Sequence, residues 1–227
     1  MYINSPHGGL HIGQQIAGKY IIEGVISTDR NAHVFIAKQK IGQPSILVLK
    51  LEIPGNNTLS NEILVLQSVR NTKHFTHIIE VGHHNQFNFL ATQVLGPSFK
   101  DLALRKPPYK FSLLTLLKFA LQSFQALQIL HQAGFVHGAV KAKNFLIGYS
   151  KQTAGNFYLI GFSQCKHFNF QDTSRENQIF SPENDLMGIM RIMAEYCIGN
   201  EDERHLVDQP SSSASIIPPI NHPTCIP

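Results

Sequence analysis

Between Gly18 and Val94 the chain sets out strand-type and helix-type patterns in an order that few folds accept. Three β-branched-rich runs come first: Tyr20-Ile21-Ile22, Ala32–Ala37 and Ser45–Glu52. The turn-forming stretches Ser27–Asn31 and Gly42–Pro44 separate them, which predicts an antiparallel meander. Ser60 then opens a stretch in which Ile63, Leu66, Gln67 and Val69 follow the helical period. Two more strand-type runs, Ile78–Gly82 and Phe87–Val94, are joined by the polar turn His83-His84-Asn85-Gln86. After Gly96-Pro97 the pattern is helical. Ser112 is placed to cap a helix reaching Ala133, in which Leu113, Leu117, Leu121, Phe124 and Leu127 share a face expected in the core. Gly134 stands where a left-handed C-terminal cap is needed, and a last helix is expected over about Asn184–Ile198.

At 227 residues, with 43% hydrophobic and 15% charged residues, the composition is that of a globular protein. The net charge is +4, but its nineteen Lys and Arg are scattered and no basic run of five or more occurs, which argues against nucleic-acid binding. Cys165, Cys197 and Cys225 are odd in number and match no metal spacing, the pattern of free thiols in a reducing compartment. His74, His77, His83 and His84 lie close together without patterned metal partners and read as a surface cluster in turns. The first fifteen residues lack the apolar core of a signal peptide, and apolar runs are interrupted before the ~18 residues of a membrane span. The expectation is a soluble intracellular, cytoplasmic protein with no membrane association. Residues 1–17 read as a flexible N-terminal extension, and residues 208–227 as a disordered Pro/Ser-rich tail.

The most telling stretch is Leu130–Ser163. It contains His137-Gly138-Ala139, then Asn144 five residues after Ala139, and later Gly161-Phe162-Ser163. An active protein kinase carries His-Arg-Asp-x-x-x-x-Asn and Asp-Phe-Gly there. The segment from about Gly18 to Gly199 resembles the casein kinase I group of protein kinases, and within it the tau-tubulin kinase type. Phe87-Asn88-Phe89, Gln93, Leu95-Gly96 and Asp101-Leu102 fall on that type's hinge pattern. Phe135-Val136-His137, Lys141, Asn144-Phe145 and Asp185-Leu186 fall on its catalytic-loop and later-helix patterns. The resemblance implies an α+β, bilobal protein-kinase-like fold. Its N-lobe, residues 18–95, would hold a five-stranded antiparallel sheet with one helix. Its C-lobe, residues 96–207, would be mostly helical and truncated, without the helices of a normal large lobe beyond Arg204.

The resemblance also implies roles for single residues. Lys50 matches the lysine that contacts the α- and β-phosphates, and Glu62 its helical partner; a structural ion pair would conserve both equally well. With Asn144 they form the candidate residual nucleotide site. The phosphate-covering loop, normally Gly-x-Gly-x-x-Gly, is Ser27-Thr28-Asp29-Arg30-Asn31-Ala32, so backbone N–H groups lose the unhindered approach that glycine allows. Ala139 stands at the position of the catalytic base, and a methyl group cannot accept a hydroxyl proton. Gly161 stands at the Mg²⁺-ligand position, where a carboxylate is required. His137, Phe145 and Phe162 are retained and are expected to serve packing and hydrogen bonding. Lys141 is expected to be a solvated loop lysine. Gly138 replaces an arginine that grips the activation segment, and that segment, Gln164–Asn184, is short. The expectation is a pseudokinase acting as a protein-binding scaffold or regulator, with no cofactor required; ATP, if held, would bind without Mg²⁺. The alternative is an active serine/threonine kinase recruiting Asp172 or Glu176 to bind the metal. A third reading is a chain with no stable fold.

Overall fold

The computed structural model describes residues 9–42, 45–105, 107–168 and 180–198. The N-terminal elements are β1 (Gln15–Ile16), β2 (Tyr20–Thr28), β3 (Ala32–Gln39), β4 (Ile46–Glu52), α1 (Leu59–Ser68), β5 (Ile78–His84) and β6 (Phe87–Gln93). They form an antiparallel sheet in the order β1-β2-β3-β4-β6-β5. The strand period of two divides its side chains. Leu47, Leu49 and Leu51 of β4 pack in one core with Ile22, Phe35 and Phe89. Val48 and Lys50, one residue out of step, are only partly buried. Each such Leu or Phe, fully buried, contributes about 1.5–3 kcal/mol.

The sheet has six strands among the described residues, one more than the pattern predicts. The extra strand comes from residues expected to be a flexible extension. Gly13 and Gly18 hold positive φ, so the chain turns back on itself, and Gln15 and Ile16 pair with Ile21 and Tyr20. Leu10 and Ile16 are buried in the sheet's core. Polar, glycine-rich composition hid two apolar anchors. Residues 1–8 and the tail 208–227 lie outside the described residues.

The helical part contains β7 (Leu95–Ser98), α2 (Phe99–Leu104), α3 (Leu113–Gln132), β8 (Phe135–Val136), β9 (Phe145–Gly148), β10 (Phe157–Leu159), β11 (Lys166–His167) and α4 (Pro182–Ile198). Ser112 caps α3 by accepting the Thr115 amide at 3.3 Å, and Gly134 follows at φ +85°, both as predicted. α3 and α4 run antiparallel: His131 meets Asp185 at one end, and the Phe111 amide donates to Tyr196 O at 3.0 Å at the other. Phe99 stacks on Phe119 at 4.0 Å between ring centroids, with Phe157 and Tyr196 edge-on.

The buried arc of α3 meets the predicted one only at Leu127, with Phe124 partly buried against the core. Leu116, Phe119, Ala120, Ser123, Leu127 and Leu130 face the core, whereas Leu113, Leu117 and Leu121 are exposed, Leu121 by 61%. α3 carries two apolar stripes at helical spacing, and sequence periodicity cannot say which one meets α4. Among the described residues only α3 is long and apolar enough to cross a membrane by length and composition.

Candidate functional site

β4 and α1 bring the first pair together. Lys50 projects from β4, and its ammonium pairs with the Glu62 carboxylate from the first turn of α1. α1 is held in place by an unexpected residue. Its N-cap position, Thr58, supplies no side-chain cap; Glu52, at the end of β4 and 2% exposed, reaches across instead. The Glu52 carboxylate accepts the Thr58 amide at 2.6 Å and the Leu59 amide at 2.8 Å, pairing amides that a helix start leaves free. At the other side of α1, Asn61 donates to Phe162 O at 3.0 Å and Cys165 O at 2.8 Å. Sequence reading missed both residues; a Glu ending a strand and an Asn inside a helix carry no signal of their own.

The turn between β2 and β3 is closed by its own carboxylate. Asp29 Oδ1 accepts the amides of Asn31 at 2.7 Å and Ala32 at 2.8 Å, while the Asp29 amide donates to Ala32 O. Backbone N–H groups of a turn are what would cradle a phosphate. Here an internal anion already holds two of them, as an ordinary Asx-type turn does.

The loop after β8 is organised by Asp185 of α4. Its carboxylate accepts the His137 amide at 2.7 Å, the Gly138 amide at 2.9 Å and, on the same oxygen as His137, the His131 ring at 2.9 Å. His137 is completely buried. Its Nδ1 accepts the Ala139 amide at 3.2 Å and its Nε2 donates to Ile160 O at 3.0 Å, a pattern only the neutral Nε2–H tautomer satisfies. Burial holds the imidazole below the ordinary histidine range. Both nitrogens are engaged, so His137 is a structural residue and not a base. Phe162 packs edge-on against it at 5.6 Å and lies 5.9 Å from Phe75. Phe145 is buried against Phe119. The retained residues therefore serve packing, as expected. Lys141 is exposed.

Ala139 presents only a methyl group. Asn144, from the 3-10 turn Ala142–Asn144, donates its Nδ2 to Ala139 O at 2.9 Å. Gly161 has φ +88°, and a Cβ there would come within 3.2 Å of the Asn144 amide group, tighter than ordinary contact. Asn144 thus lies against the place from which any side chain at position 161 would extend. Gly138 is equally confined: at φ +69°, a Cβ would come within 2.5 Å of the Phe180 ring. No group of three His, Cys, Asp or Glu able to hold a metal occurs among the described residues. The described residues around Gly161 do not fit Mg²⁺, which is held through carboxylate oxygens in near-octahedral array. Asp172 and Glu176 lie outside the described residues.

Between the sheet and the helical part a cleft of about 530 Å³ opens. Val25, Ile36, Val48, Val94, Leu146 and Ile160 make its apolar walls, and Arg105 and Lys143 also line it. Ser98 and Asp101, at its edge, bond each other in a capping box that starts α2. Such a slot suits a planar apolar group; Lys50 and Asn144 do not line it. The histidine cluster is a surface cluster only in part, with His77 and His83 exposed. His74 is buried, bonded to Phe157 O at 2.8 Å and Gln125 at 3.2 Å. His83 and His84 belong to β5, and His84 accepts the Ala17 amide.

A curled antiparallel sheet with one helix, joined through a cleft to a helical part that carries a His-x-x-x-x-x-x-Asn loop, defines a protein-kinase-like domain. The chain is 26% identical over 223 residues to a probable serine/threonine-protein kinase of Dictyostelium discoideum, covering 88% of this chain and 45% of that protein. It is 27% identical over 153 residues to a serine/threonine-protein kinase of Caenorhabditis elegans, covering 66% of this chain and 39% of the relative. It is also 26% identical over 166 residues to a C. elegans protein named as a casein kinase I, covering 70% and 48%. The chain thus spans about half the length, or less, of the curated relatives it matches. No protein-family model matches it.

Proposed function

We propose that this chain is a pseudokinase domain of the casein kinase I group, nearest the tau-tubulin kinase type, which works by holding a protein partner inside the cell. The observation that carries this reading is the coincidence of Ala139 and Gly161 at the two positions where phosphotransfer needs carboxylates. A positioned general base contributes about 10²–10⁴-fold, and the loss of metal-borne charge neutralisation adds to that. Asp29, occupying the turn amides, and Asn144, lying against Gly161, support the same reading. What survives is the packing that joins the two parts, and a domain with that much order and no transfer chemistry acts through its surfaces.

The formed Lys50–Glu62 pair and the kinase names of the relatives favour one second reading: an active serine/threonine kinase with rearranged metal ligands. A phosphate-transfer assay on casein and tubulin peptides with Mg²⁺ or Mn²⁺ separates the two. The pseudokinase reading predicts no turnover; turnover abolished by Lys50→Met overturns it. A thermal-shift titration with ATP tests the cleft independently. A metal-independent shift lost in Lys50→Met identifies a nucleotide-bound scaffold, and no shift identifies a nucleotide-free one.

A further inference from the structure

At the opposite end of α1 from the Lys50–Glu62 pair, a cavity of about 340 Å³ opens between the end of that helix and the chain entering β5. Gln67, Arg70 and Asn71 line it from the helix end, and Thr76 and His77 from the approach to β5. The side chains of Gln67, Arg70 and His77 make no hydrogen bond or ion pair among the described residues, and the buried Thr76 hydroxyl has no partner among them. A buried hydroxyl left unpaired is uncommon and costly. From Ile63 to Ile79 the chain carries Arg70, Lys73, His74 and His77 and no carboxylate. The carboxylates nearest in sequence are engaged elsewhere: Glu62 with Lys50, and Glu80 with Lys19 and Tyr20.

An anion beside the C-terminal end of a helix normally meets unpaired carbonyls and is repelled. Here that end is partly paired off. Leu64 O accepts the Ser68 hydroxyl, Val65 O the Val69 amide, Gln67 O the Arg70 amide, and Val69 O both the amide and the hydroxyl of Thr72. An anion at Arg70 therefore meets fewer open carbonyls than at a bare helix end, and a guanidinium matches the planar or tetrahedral oxygens of an acidic group.

We propose that this pocket binds an oxyanion carried by a peptide partner, a carboxylate or a phosphorylated side chain, with Arg70 as the anchor. The site stands whether or not the interlobe cleft transfers phosphate. The test is fluorescence anisotropy on the full chain with short Gly/Ser peptides carrying a central glutamate, phosphoserine or glutamine. The two acidic peptides bind and the glutamine peptide does not. Arg70→Glu lowers acidic-peptide affinity by roughly tenfold or more, the usual worth of a charge-assisted bond. Lys40→Glu, which makes the same change in net charge at the exposed β3–β4 turn, leaves it unchanged. A preference between the two acidic peptides tells a phosphorylated partner from an acidic one. Unchanged thermal unfolding of Arg70→Glu shows that the fold is intact. The proposal is overturned if neither acidic peptide binds, if Lys40→Glu weakens binding as much as Arg70→Glu, or if binding leaves the Thr76 and His77 amide resonances unmoved.

Discussion

Lys50→Met is the perturbation whose outcome distinguishes a pair kept for architecture from one kept for phosphate contact. The Lys50 and Glu62 side chains are 22% and 12% exposed, so both charges are partly desolvated and hold each other. Removing one member of a fully buried pair costs roughly 3–5 kcal/mol, because the other charge is left without a partner. Residual solvent screening reduces that here to about 2–3 kcal/mol. Glu62 also sits in the first turn of α1, where its charge favours the helix dipole, so Lys50→Met falls toward the lower figure. In the double variant Lys50→Met/Glu62→Leu no charge is stranded, and apolar side chains of similar volume refill the space. Its stability is expected within about 1 kcal/mol of the parent, above that of Lys50→Met alone. Urea denaturation of the parent, both single variants and the double variant closes the cycle. Strict additivity of the two single effects, or a Lys50→Met variant as stable as the parent, refutes the argument that the pair is an architectural element.

Glu52→Ala removes the acceptor for the Thr58 and Leu59 amides and is expected to cost about 2–3 kcal/mol, with hydrogen-exchange protection lost first in the opening turn of α1. Leu116→Ala is expected to cost about 2–5 kcal/mol and the exposed Leu117→Ala less than about 0.5 kcal/mol in the same denaturation assay, whereas the predicted face would require the reverse order. The depressed pKa of His137 makes stability fall in acid: below about pH 6.5 the unfolded chain takes up a proton that the folded chain refuses. Above that pH both states carry neutral His137 and it adds no pH dependence. Urea midpoints measured from pH 7.5 down to pH 5 are expected to decline, and His137→Gln is expected to flatten that decline while lowering stability throughout.

Much of the candidate site was legible before any coordinate. The resemblance to protein-kinase motifs singles out Ala139 and Gly161, and no folding is needed to know that neither side chain carries oxygen. The strand and helix order of residues 18–95 followed from β-branched runs and turn residues, because local patterning reports which face of an element is apolar. Ser112 and Gly134 announced the ends of α3 because caps are local chemistry. Residues whose partners are remote in the chain were not legible. Glu52 caps a helix that begins seven residues later, Asn61 bonds carbonyls about a hundred residues away, and Leu10 and Ile16 anchor a strand inside a stretch that looks loose by composition.

By itself the sequence determined the kind of fold and that positions 139 and 161 carry no side-chain oxygen, because both are written in the identity of single residues and in their spacing. Only the tertiary structure decided which stripe of α3 is buried, since two stripes have equal periodicity and α4 chooses between them. Only it decided that Asp29 spends its charge on its own turn, that His137 is locked as a neutral tautomer under Asp185, and that Phe180 lies over Gly138. Each of these depends on which distant group arrives within hydrogen-bonding or contact distance, and no local pattern encodes that.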